Sequence, residues 1–552
     1  MKKDYSILIG GEAGQGSRMA GEIIAKLFSK LGYNIFIYND YQSLIRGGHN
    51  FSQIRASDKK VLTHREKSDF LLVLDNNTLK KHKSELDKKG MIIYDSGAVS
   101  VKSKNSIGIP LGEIVSKMGG RPIMNNVALI GGFSKIVGIK WGVVKKVVGK
   151  KFEKYKEINL KIAKEAYDQT ENLIEVKDLN KKSLPMITGN EALALGAVKA
   201  GLDLYIAYPM TPSTGILHFL ANHGKEFGVG VSHLENEVGV VNAAIGAAYT
   251  GARTMVGTSG GGFALMTEAL SLAVQNETPL VIVESQRMAP GSGVPTYNAQ
   301  SDLSFALSAG HGDIVKFVAA PGDVEESCFW GGKLMNLSWK YQTPSILLVD
   351  KEISESTFSF DEDVLKEVEY EKPLLWNKKG EYLRYKNLKN GISPLAFPGE
   401  RKATVKSNSY EHDQFGITVE NEKEVKEMQD KRLRKFKEMK KEVDKLKAVK
   451  VYGKKKARKA VIAWGSTKGA VKEVAEKMGL RMVQPIILQP FPEKQIKKCL
   501  KGVSKVALVE NNSTAQLKIL LDQVGIKVDK KILKYDGRPF VPEEIEKKLK
   551  NF

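Results

Sequence analysis

The run Leu204-Tyr205-Ile206-Ala207-Tyr208-Pro209-Met210-Thr211-Pro212-Ser213 decides the fold of the middle of this 552-residue chain. The apolar residues up to Tyr208 predict a buried strand, and the two prolines predict a stiff turn into a helix that begins near Ser213. In doubly wound sheets, ligands bind at the carboxyl ends of the strands. The turn therefore places the Thr211 hydroxyl at a predicted ligand site, unless it is a rigid helix N-cap without a ligand.

The same alternation of strands and helices extends to both sides of this run and predicts an α/β protein of several domains. Residues 1–180 open with a strand and a glycine-rich turn, and their alternating pattern predicts a parallel sheet. Residues 186–361 form a doubly wound α/β domain, and residues 456–552 form a smaller α/β domain. Between them, residues 362–455 are predicted to be a charged linker that ends in one exposed helix.

Composition limits the classes of function. With 42% hydrophobic and 27% charged residues the chain is typical of globular proteins, and it has no apolar run of the roughly 20 residues that span a bilayer. We therefore expect no membrane partner and, without an export signal, a cytoplasmic location. The formal net charge is +23, but the lysines are scattered or alternate with glutamate in helices. This pattern favours an acidic or phosphorylated partner over nucleic acid.

Metal chemistry is not expected on this chain. Its two cysteines, Cys328 and Cys499, cannot supply the four thiolates that a cubane iron–sulfur cluster usually takes. The eight histidines form no pattern typical of a metal site. Any cluster chemistry must therefore lie on another polypeptide.

A carboxylate opens the most apolar helix of the middle domain. Glu237 ends the string His233-Leu234-Glu235-Asn236-Glu237 and begins a run of alanine, glycine and valine. One interpretation is that Glu237 only caps the helix dipole. The other is that it is buried against a ligand and shares a proton with a heterocyclic nitrogen. Thiamine chemistry needs a carboxyl group at the pyrimidine ring in this way.

Two further turns bear polar groups at strand ends. Ser259 and Gly260 lie in Thr258-Ser259-Gly260-Gly261-Gly262-Phe263, which leaves room for a ligand ring or a phosphate. Arg287 directly follows a strand, where its guanidinium can clamp a substrate carboxylate with two hydrogen bonds. A structural salt bridge from Arg287 to Asp302 or Glu284 is the alternative.

The N-terminal segment carries a different glycine turn, Gly10-Gly11-Glu12-Ala13-Gly14-Gln15-Gly16-Ser17, followed later by Arg46-Gly47-Gly48-His49-Asn50. Backbone amides of such a turn can hold phosphate at a helix N-terminus. The alternative is that the glycines only satisfy the backbone angles of the turn. A dinucleotide site is a third interpretation, but no acidic ribose-binding residue stands out about 20 residues further on.

Together these strings resemble the 2-oxoacid:ferredoxin (acceptor) oxidoreductases, and they occur in the order of that family. The N-terminal strings look like the family's γ domain, so the chain is similar over nearly its whole length to an α subunit with a fused γ domain. The strings that resemble the α subunit are Tyr208–Ser213, Glu235–Glu237, Gly251–Met255, Thr258–Phe263, Gln286–Pro290, Tyr410–Gly416 and Asp536–Phe540.

The resemblance implies roles for individual residues. Glu237 matches the glutamate that contacts the aminopyrimidine of thiamine diphosphate, with Glu235 as the less favoured choice. Thr211 matches the residue beside the substrate and the thiazolium, and Arg287 matches the arginine that recognises the 2-oxoacid carboxylate. Further cofactor contacts are expected at Pro209, Ser259 and Gly260. The γ domain is expected to help with coenzyme A or with assembly, and Gly14, Gly16 and Arg46 are its candidate contacts.

The resemblance also implies a partner. The Gly-Asp-Gly pattern that holds diphosphate and Mg²⁺ is missing here, and in the family both Mg²⁺ and the iron–sulfur cluster lie on a β subunit. The implied activity is coenzyme-A-dependent oxidative decarboxylation of a 2-oxoacid, with electrons passed to ferredoxin, at an α–β interface. A scaffold subunit without catalysis remains an alternative. Departures at Gly261, Ala289–Gly293 and Ala515 leave pyruvate, 2-oxoglutarate and branched-chain oxoacids open as substrates.

Overall fold

The computed structural model describes residues 2–44 and 47–552. It contains three sheets with helices packed against them, so the α/β fold class is confirmed. The chain divides into two compact units. The first unit comprises Met1–Ile187, Ser356–Asp361 and Val541–Glu544, and the second comprises Thr188–Glu355, Glu362–Phe540 and Ile545–Phe552.

The strands are short to medium in length and occur throughout the chain. In chain order they are β1 (Asp4–Ala13), β2 (Asn34–Asp40), β3 (Gly47–Ser57), β4 (Ser68–Val73), β5 (Leu86–Asp95), β6 (Ser106–Ile109), β7 (Met186–Thr188), β8 (Leu204–Ala207), β9 (Gly230–His233), β10 (Thr254–Thr258), β11 (Leu280–Gln286), β12 (Phe317–Ala319), β13 (Pro344–Asp350), β14 (Thr357–Ser359), β15 (Val449–Gly453), β16 (Lys459–Ala463), β17 (Arg481–Pro485), β18 (Ile487–Gln489), β19 (Lys505–Glu510) and β20 (Lys530–Leu533).

Helices connect most of these strands. They are α1 (Ser17–Lys30), α2 (Asn76–His82), α3 (Leu111–Lys117), α4 (Asn125–Ile136), α5 (Trp141–Lys151), α6 (Lys156–Asp168), α7 (Gly189–Lys199), α8 (Thr214–Phe227), α9 (Glu237–Tyr249), α10 (Gly260–Gln275), α11 (Leu303–Ser308), α12 (Val324–Tyr341), α13 (Lys351–Glu355), α14 (Glu422–Lys445), α15 (Lys468–Met478), α16 (Glu493–Cys499), α17 (Gln516–Gln523) and α18 (Pro542–Leu549). Short 3₁₀ turns lie at Lys83–Glu85, Pro122–Met124, Glu153–Tyr155, Glu362–Glu367 and Gly465–Thr467.

The first unit contains a mixed sheet in the order β6-β5-β4-β1-β3-β2-β14-β7. β1, β4, β5 and β6 are parallel, but β3 runs antiparallel to both β1 and β2. The prediction of a parallel sheet was therefore wrong for this half of the sheet. Only residues 41–46 separate β2 from β3, which is too short for the crossover that parallel neighbours need.

The second unit contains a seven-stranded sheet in the order β18-β12-β13-β11-β10-β8-β9. Its strands are parallel except for β18 at one edge. The central strands are fully buried, as expected for a parallel sheet with helices on both faces. A five-stranded sheet, β15-β17-β16-β19-β20, belongs to the same unit. Because β18 follows β17 in the chain and joins the edge of the larger sheet, the two sheets are tied together.

The segment between the two sheets was predicted to end in an exposed helix. That helix is α14, but its exposure holds for one face only, since Met428, Lys431, Lys435 and Met439 are buried. Helical spacing puts these residues on one face, and the ammonium groups of both lysines reach the buried carboxylate of Glu277. Within the described ranges, no helix is long and apolar enough to cross a membrane.

Candidate functional site

The Tyr208–Ser213 turn lies at the carboxyl end of β8 and is held from several sides. The Ser213 hydroxyl donates to the Met210 carbonyl at 2.8 Å, and the Asn190 amide donates to the Pro212 carbonyl at 2.8 Å. Nη1 of Arg287 donates to the Thr211 carbonyl, also at 2.8 Å. The structure thus brings Arg287, at the end of β11, against the turn that carries Thr211. Pro209 and Thr211 are both partly exposed there.

Glu237 is the first residue of α9 and is only 4% exposed. The cap of this helix is Asn236, whose side chain accepts a hydrogen bond from the Gly239 amide at 2.9 Å. Oε1 of Glu237 is buried and has no hydrogen-bond partner among the residues that the structure describes. A buried carboxylate oxygen without a partner is costly, so simple capping of the helix dipole does not account for it. A donor from outside this chain would satisfy it.

Gly262 provides the space that the Glu237 carboxylate occupies. A Cβ at Gly262 would lie 2.4 Å from Oε1 of Glu237 and 2.1 Å from Oγ1 of Thr258. Oγ1 of Thr258 is also 3.9 Å from the Met210 sulfur. The carboxylate, the end of β10 and the Tyr208–Ser213 turn therefore meet at one place, as expected for the carboxyl edge of a parallel sheet.

Ser259 and Gly260 open α10 at this same edge. Ser259 is fully buried, and its hydroxyl has no hydrogen-bond partner and does not cap the helix. A Cβ at Gly260 would lie 2.6 Å from Oδ2 of Asp302. The start of α10 therefore presents an unsatisfied hydroxyl, close to Glu237 and ahead of an apolar helix.

Arg287 forms no direct ion pair with Asp302 or Glu284 in the part of the chain that the structure describes, although Asp302 is near enough to influence its guanidinium. Its contact with the Thr211 carbonyl orients the guanidinium instead. Burial lowers the pKa of Arg287 from its ordinary value, and the nearby Asp302 opposes this shift. The salt-bridge alternative for this arginine is thus not formed, while its role toward a substrate stays a prediction.

Sequence reasoning considered Glu284 and Asp302 only as partners of Arg287. Both oxygens of Glu284 and Oδ2 of Asp302 are buried, and as two carboxylates they find no donor among the described residues. A proton on Glu284 supplies one, because the protonated group can donate a hydrogen bond to Asp302. Burial raises the pKa of Glu284 well above its usual range, and the adjacent Asp302 adds to this. Burial also raises the pKa of Asp302 to about 6. A glutamate that ends an apolar strand was the signal that could have revealed this pair.

The glycine turn of the first unit is shorter than the sequence suggests. Gly10 and Gly11 belong to β1 and pair with β3, so only Gly14 to Gly16 form the turn into α1. Gly14 is exposed with a φ of 101°, and Gly16 has a φ of 78° at the helix N-cap. A Cβ at Gly16 would meet the Asn126 amide nitrogen at 2.2 Å. Arg46, the third residue predicted here, lies outside the described residues.

Exposed apolar side chains occur on two helices and two loops of the candidate site. Val238 in α9 and Leu265 in α10 are 48% and 54% exposed, and Tyr208 and Val294 in loops are 37% and 44% exposed. α9 also exposes Asn242, Ala243 and Gly246, and a Cβ at Gly246 would meet nothing within 4 Å. No group of three or more His, Cys, Asp or Glu residues that could hold a metal ion occurs within residues 2–44 and 47–552.

Three family models match successive parts of the chain. Residues 195–431 match the thiamine-diphosphate-binding part of pyruvate flavodoxin/ferredoxin oxidoreductase, which contains the site just described. Residues 6–169 match pyruvate ferredoxin/flavodoxin oxidoreductase. Residues 457–545 match core domain II of pyruvate:ferredoxin oxidoreductase.

Whole-chain relatives agree with these matches. The chain is 31% identical to the 2-oxoacid:ferredoxin oxidoreductase subunit alpha of Sulfolobus sp, over 99% of this chain and 96% of that protein. It is 29% identical to the 2-oxoglutarate oxidoreductase subunit KorA of Mycobacterium tuberculosis, over 63% of this chain and 60% of that one. The structure of 2-oxoglutarate:ferredoxin oxidoreductase from Magnetococcus marinus superimposes with a TM-score of 0.93 at 28% identity, covering 100% of this chain and 99% of that chain.

Proposed function

Because this chain belongs to the family of 2-oxoacid:ferredoxin oxidoreductase α subunits, we propose that its second unit forms the pyrimidine-binding half of a thiamine-diphosphate site. The carrying observation is the buried Glu237 carboxylate, whose Oε1 finds no partner in the described part of the chain. The buried Ser259 hydroxyl at the start of α10, which finds no partner among the described residues, also fits a polar ligand. These groups match an aminopyrimidine, which offers both a protonatable ring nitrogen and an amino group.

Thiamine diphosphate, when bound, supplies a nucleophilic carbon that attacks a 2-oxo group and accepts the negative charge left as CO2 departs. Glu237 would hold a proton at the pyrimidine ring nitrogen, in a water-excluded position where the hydrogen bond is strong. Thr211 would contact the substrate beside the reacting carbon. Arg287 would bind the substrate carboxylate while its Nη1 stays on the Thr211 carbonyl, so that the two residues act as one unit.

The complete reaction requires other partners. The bond between the carboxyl carbon and the 2-oxo carbon breaks, CO2 leaves, and the acyl carbon bonds to the sulfur of coenzyme A. The overall change releases two electrons and one proton, and an iron–sulfur cluster on a partner subunit would pass the electrons one at a time to ferredoxin. We place the cluster, Mg²⁺ and the diphosphate contacts on a β subunit, and we keep Gly14, Gly16 and Arg46 as candidate contacts of coenzyme A.

The exposed surface beside the site supports such a partner. Val238 and Leu265 are half-exposed apolar residues next to Glu237 and the start of α10, and α9 presents small residues that permit close helix packing. Apolar surface of this kind typically marks a protein interface. Within this chain, burial raises the pKa of Cys328 to about 12, which disfavours the thiolate that a cluster needs.

We take 2-oxoglutarate as the first substrate to test. The solved relative from Magnetococcus marinus holds 2-oxoglutarate, coenzyme A and succinyl-CoA, and one curated relative is a 2-oxoglutarate oxidoreductase subunit. Pyruvate and branched-chain 2-oxoacids are the competitors, because the sequence departs from the family in the loop after Arg287.

The test is reduction of a viologen dye by the complex purified through a tag on this chain after co-expression with the adjacent open reading frames. Each 2-oxoacid is tried with and without coenzyme A and thiamine diphosphate. We expect coenzyme-A-dependent reduction with 2-oxoglutarate, and a loss of roughly 10²- to 10⁴-fold in kcat for Glu237→Gln.

Glu235→Gln is the matched control, since Glu235 lies two residues away on the same loop and is exposed. It should retain activity. Equal activity of the Glu237 and Glu235 variants would remove Glu237 from the catalytic assignment. A co-purified cluster-bearing partner without any 2-oxoacid activity would favour the scaffold alternative.

A further inference from the structure

The segment that follows Arg287 reaches from Met288 to Asp302, and we call it the substrate loop. Its tip is loosely built: residues 291–294 are exposed, and Gly291 and Gly293 have φ values of 65° and 52°. A backbone bridge between Met288 and Val294 closes the tip, and the Tyr297 backbone amide donates to the Val294 carbonyl at 3.1 Å. Its second half, in contrast, is buried against the part of the second unit that contains the five-stranded sheet.

Asn511, directly after β19, is the first of these contacts. Its backbone amide donates to the side-chain Oε1 of Gln300 at 2.9 Å. The backbone amide of Gln300 donates to the backbone carbonyl of Asn511 at 2.8 Å. The Asn298 side chain donates to Oδ1 of Asn511 at 2.7 Å. All three residues are at most 1% exposed. This pairing resembles a strand ladder made with side chains, and it fixes the loop at two positions.

The turn after β20 supplies a second set of contacts. The backbone amide of Asn298 donates to the Gly537 carbonyl at 2.9 Å. The Arg538 guanidinium lies 3.9 Å from the centre of the Tyr297 ring. A Cβ at Gly537 would come within 3.1 Å of Tyr297, and its φ is 79°, so this position requires glycine. Residues of the Asp536–Phe540 string, which was noted in the sequence without an assigned role, thus contact the substrate loop directly.

The contacts continue to the end of the loop. Nδ2 of Asn512 donates to the Gln300 carbonyl at 2.9 Å. The Gln516 side chain donates to the Ser301 carbonyl at 2.6 Å and accepts from the Ser304 amide at 2.9 Å. The backbone from Tyr297 to Ser304 is therefore bound mainly by residues that lie more than 200 positions later in the chain.

These contacts are linked to Arg287 through one backbone hydrogen bond. The Met288 backbone amide donates to the Tyr297 carbonyl at 3.0 Å. Met288 directly follows Arg287, and the Tyr297 ring is the one that Arg538 contacts. Arg287 itself is fixed at its other end by the Thr211 carbonyl. A shift of Tyr297 would therefore move the backbone that aims the guanidinium.

We propose that residues 510–538 anchor the substrate loop, and that Asn511 and Arg538 are positioning residues that set affinity for the 2-oxoacid carboxylate through Arg287. The proposal rests on the function proposed above for Arg287. It gives the region around the five-stranded sheet a role in substrate recognition. Neither residue touches the substrate.

The test uses the intact complex and the variant Arg538→Met, which removes the charge above Tyr297 but keeps an apolar side chain. Arg458→Met is the matched control, because Arg458 is exposed and precedes β16 of the same sheet. Its backbone carbonyl accepts hydrogen bonds from Ser504 and Lys505, outside the loop. Arg538→Lys tests rescue by a conservative change. Asn298→Ala is a second variant that removes the bond to Asn511 from the loop side.

Three quantities are measured: KM for the 2-oxoacid, kcat, and hydrogen exchange of the amides of residues 288–300 in the complex. We expect Arg538→Met to raise KM roughly three- to five-fold, the scale of one lost cation–π contact, with kcat within about two-fold. Exchange in the loop should rise in parallel, Arg538→Lys should lie in between, and Arg458→Met should equal the parent. Asn298→Ala should reproduce the rise in KM.

A parent-like KM for both Arg538→Met and Asn298→Ala overturns the inference, and so does faster exchange in the loop without a change in KM. A fall in kcat at constant KM also overturns it, because it would indicate general damage to the site. If the parent complex turns over no 2-oxoacid, the proposed function fails first. An active parent with unaffected variants removes only this inference.

Discussion

Glu237 and Glu277 are two buried glutamates in the same compact unit, and they are treated in opposite ways. Glu277 follows α10 and is fully buried, with one ion pair from each carboxylate oxygen, to Lys431 and Lys435, at 2.5 Å. Burial alone would raise its pKa, but attraction to the two lysines outweighs this and holds the pKa below its usual range. Glu237 is also buried, yet Oε1 has no partner.

The difference shows how structural and functional carboxylates are told apart without a ligand. A buried carboxylate whose oxygens are all paired with cations is stable only while those cations are present. Removing one partner leaves an uncompensated buried charge and lowers the stability of the fold. A buried oxygen that the chain leaves unsatisfied needs an external donor, and its removal relieves the fold. Each prediction below changes one side of this contrast.

The largest effect on stability is expected for Glu277→Gln. This change leaves two buried ammonium groups without a counter-charge and should lower the free energy of unfolding by about 3–5 kcal/mol. Thermal or denaturant unfolding of the full chain measures it. Glu268→Gln, an exposed site on the preceding helix α10, should change stability by no more than about 0.5 kcal/mol.

The double variant Glu277→Gln with Lys431→Met sharpens this result. Burial lowers the pKa of Lys431 to about 7 despite its partner, so the ammonium group is poorly tolerated there. Removing it should recover part of the stability lost in Glu277→Gln. A loss that is neither large in the single variant nor reduced in the double variant would show that these three charges are not coupled.

Asp302→Asn is expected to have a smaller effect that depends on pH. The raised pKa of about 6 means that the folded state binds a proton more tightly than the unfolded state. Asp302 therefore costs stability above pH 6, and this cost disappears as the pH falls below about 4. The variant should gain up to about 2 kcal/mol over the parent at pH 7.5, and less at pH 5.

Unfolding of both proteins at the two pH values measures that difference, in which the titrating groups that do not interact with Asp302 cancel. The adjacent Glu284 is the exception, because Asp302 contributes to its raised pKa. A gain that is equal at pH 5 and pH 7.5 would mean that the carboxyl group of Asp302 is not responsible. Activity is recorded in parallel, since Asp302 lies beside Gly260 and near Arg287.

Gly262→Ala should cost about 1–2 kcal/mol through overpacking, since its methyl group would overlap Glu237 and Thr258. More informative is its effect on the cofactor: displaced Glu237 should weaken binding of thiamine diphosphate to the complex, measured by calorimetry. Gly261→Ala is the control, because a Cβ there meets nothing within 4 Å. Equal cofactor affinity in both variants would place the carboxylate outside the site.

The smallest change in stability is expected for Glu237→Gln. An amide keeps the volume and removes the buried charge, so unfolding should shift by less than about 1 kcal/mol, and toward higher stability. The same substitution should abolish most of the activity. A loss of stability as large as that of Glu277→Gln would mean that Glu237 has a structural partner. The two glutamates would then not differ in the way described.

Local sequence patterns were sufficient for the parts of the fold built from consecutive residues. The string from Leu204 to Ser213 predicted a strand and a turn, and β8 with its turn lies there. Glu237 was expected to open a small-residue helix, and α9 begins at that residue. The α/β class followed from such alternation because each unit needs only neighbouring residues to form.

Features that depend on distant residues were missed. The antiparallel placement of β3 beside β1 needs a pairing across the chain that a local period does not reveal. The burial of Lys431 depends on Glu277, 154 positions away, so the lysine-rich pattern of α14 gave the ordinary prediction of a solvated helix. The interaction between the buried carboxyl groups of Glu284 and Asp302 was missed for the same reason. It depends on the end of β11 and the start of α11 lying close together. The site assignments for Thr211, Arg287 and Glu237 remain predictions until the variants are measured.

The buried face of α14 also makes its lysines chemically unequal. Lys431 and Lys435 are at most 1% exposed, whereas Lys426 on the same helix is largely in water. An amine-reactive label applied to the native chain should therefore modify Lys426 and spare the other two, and trypsin should show the same order of attack. A mass spectrum of labelled peptides then reports, residue by residue, whether this helix is still seated on Glu277.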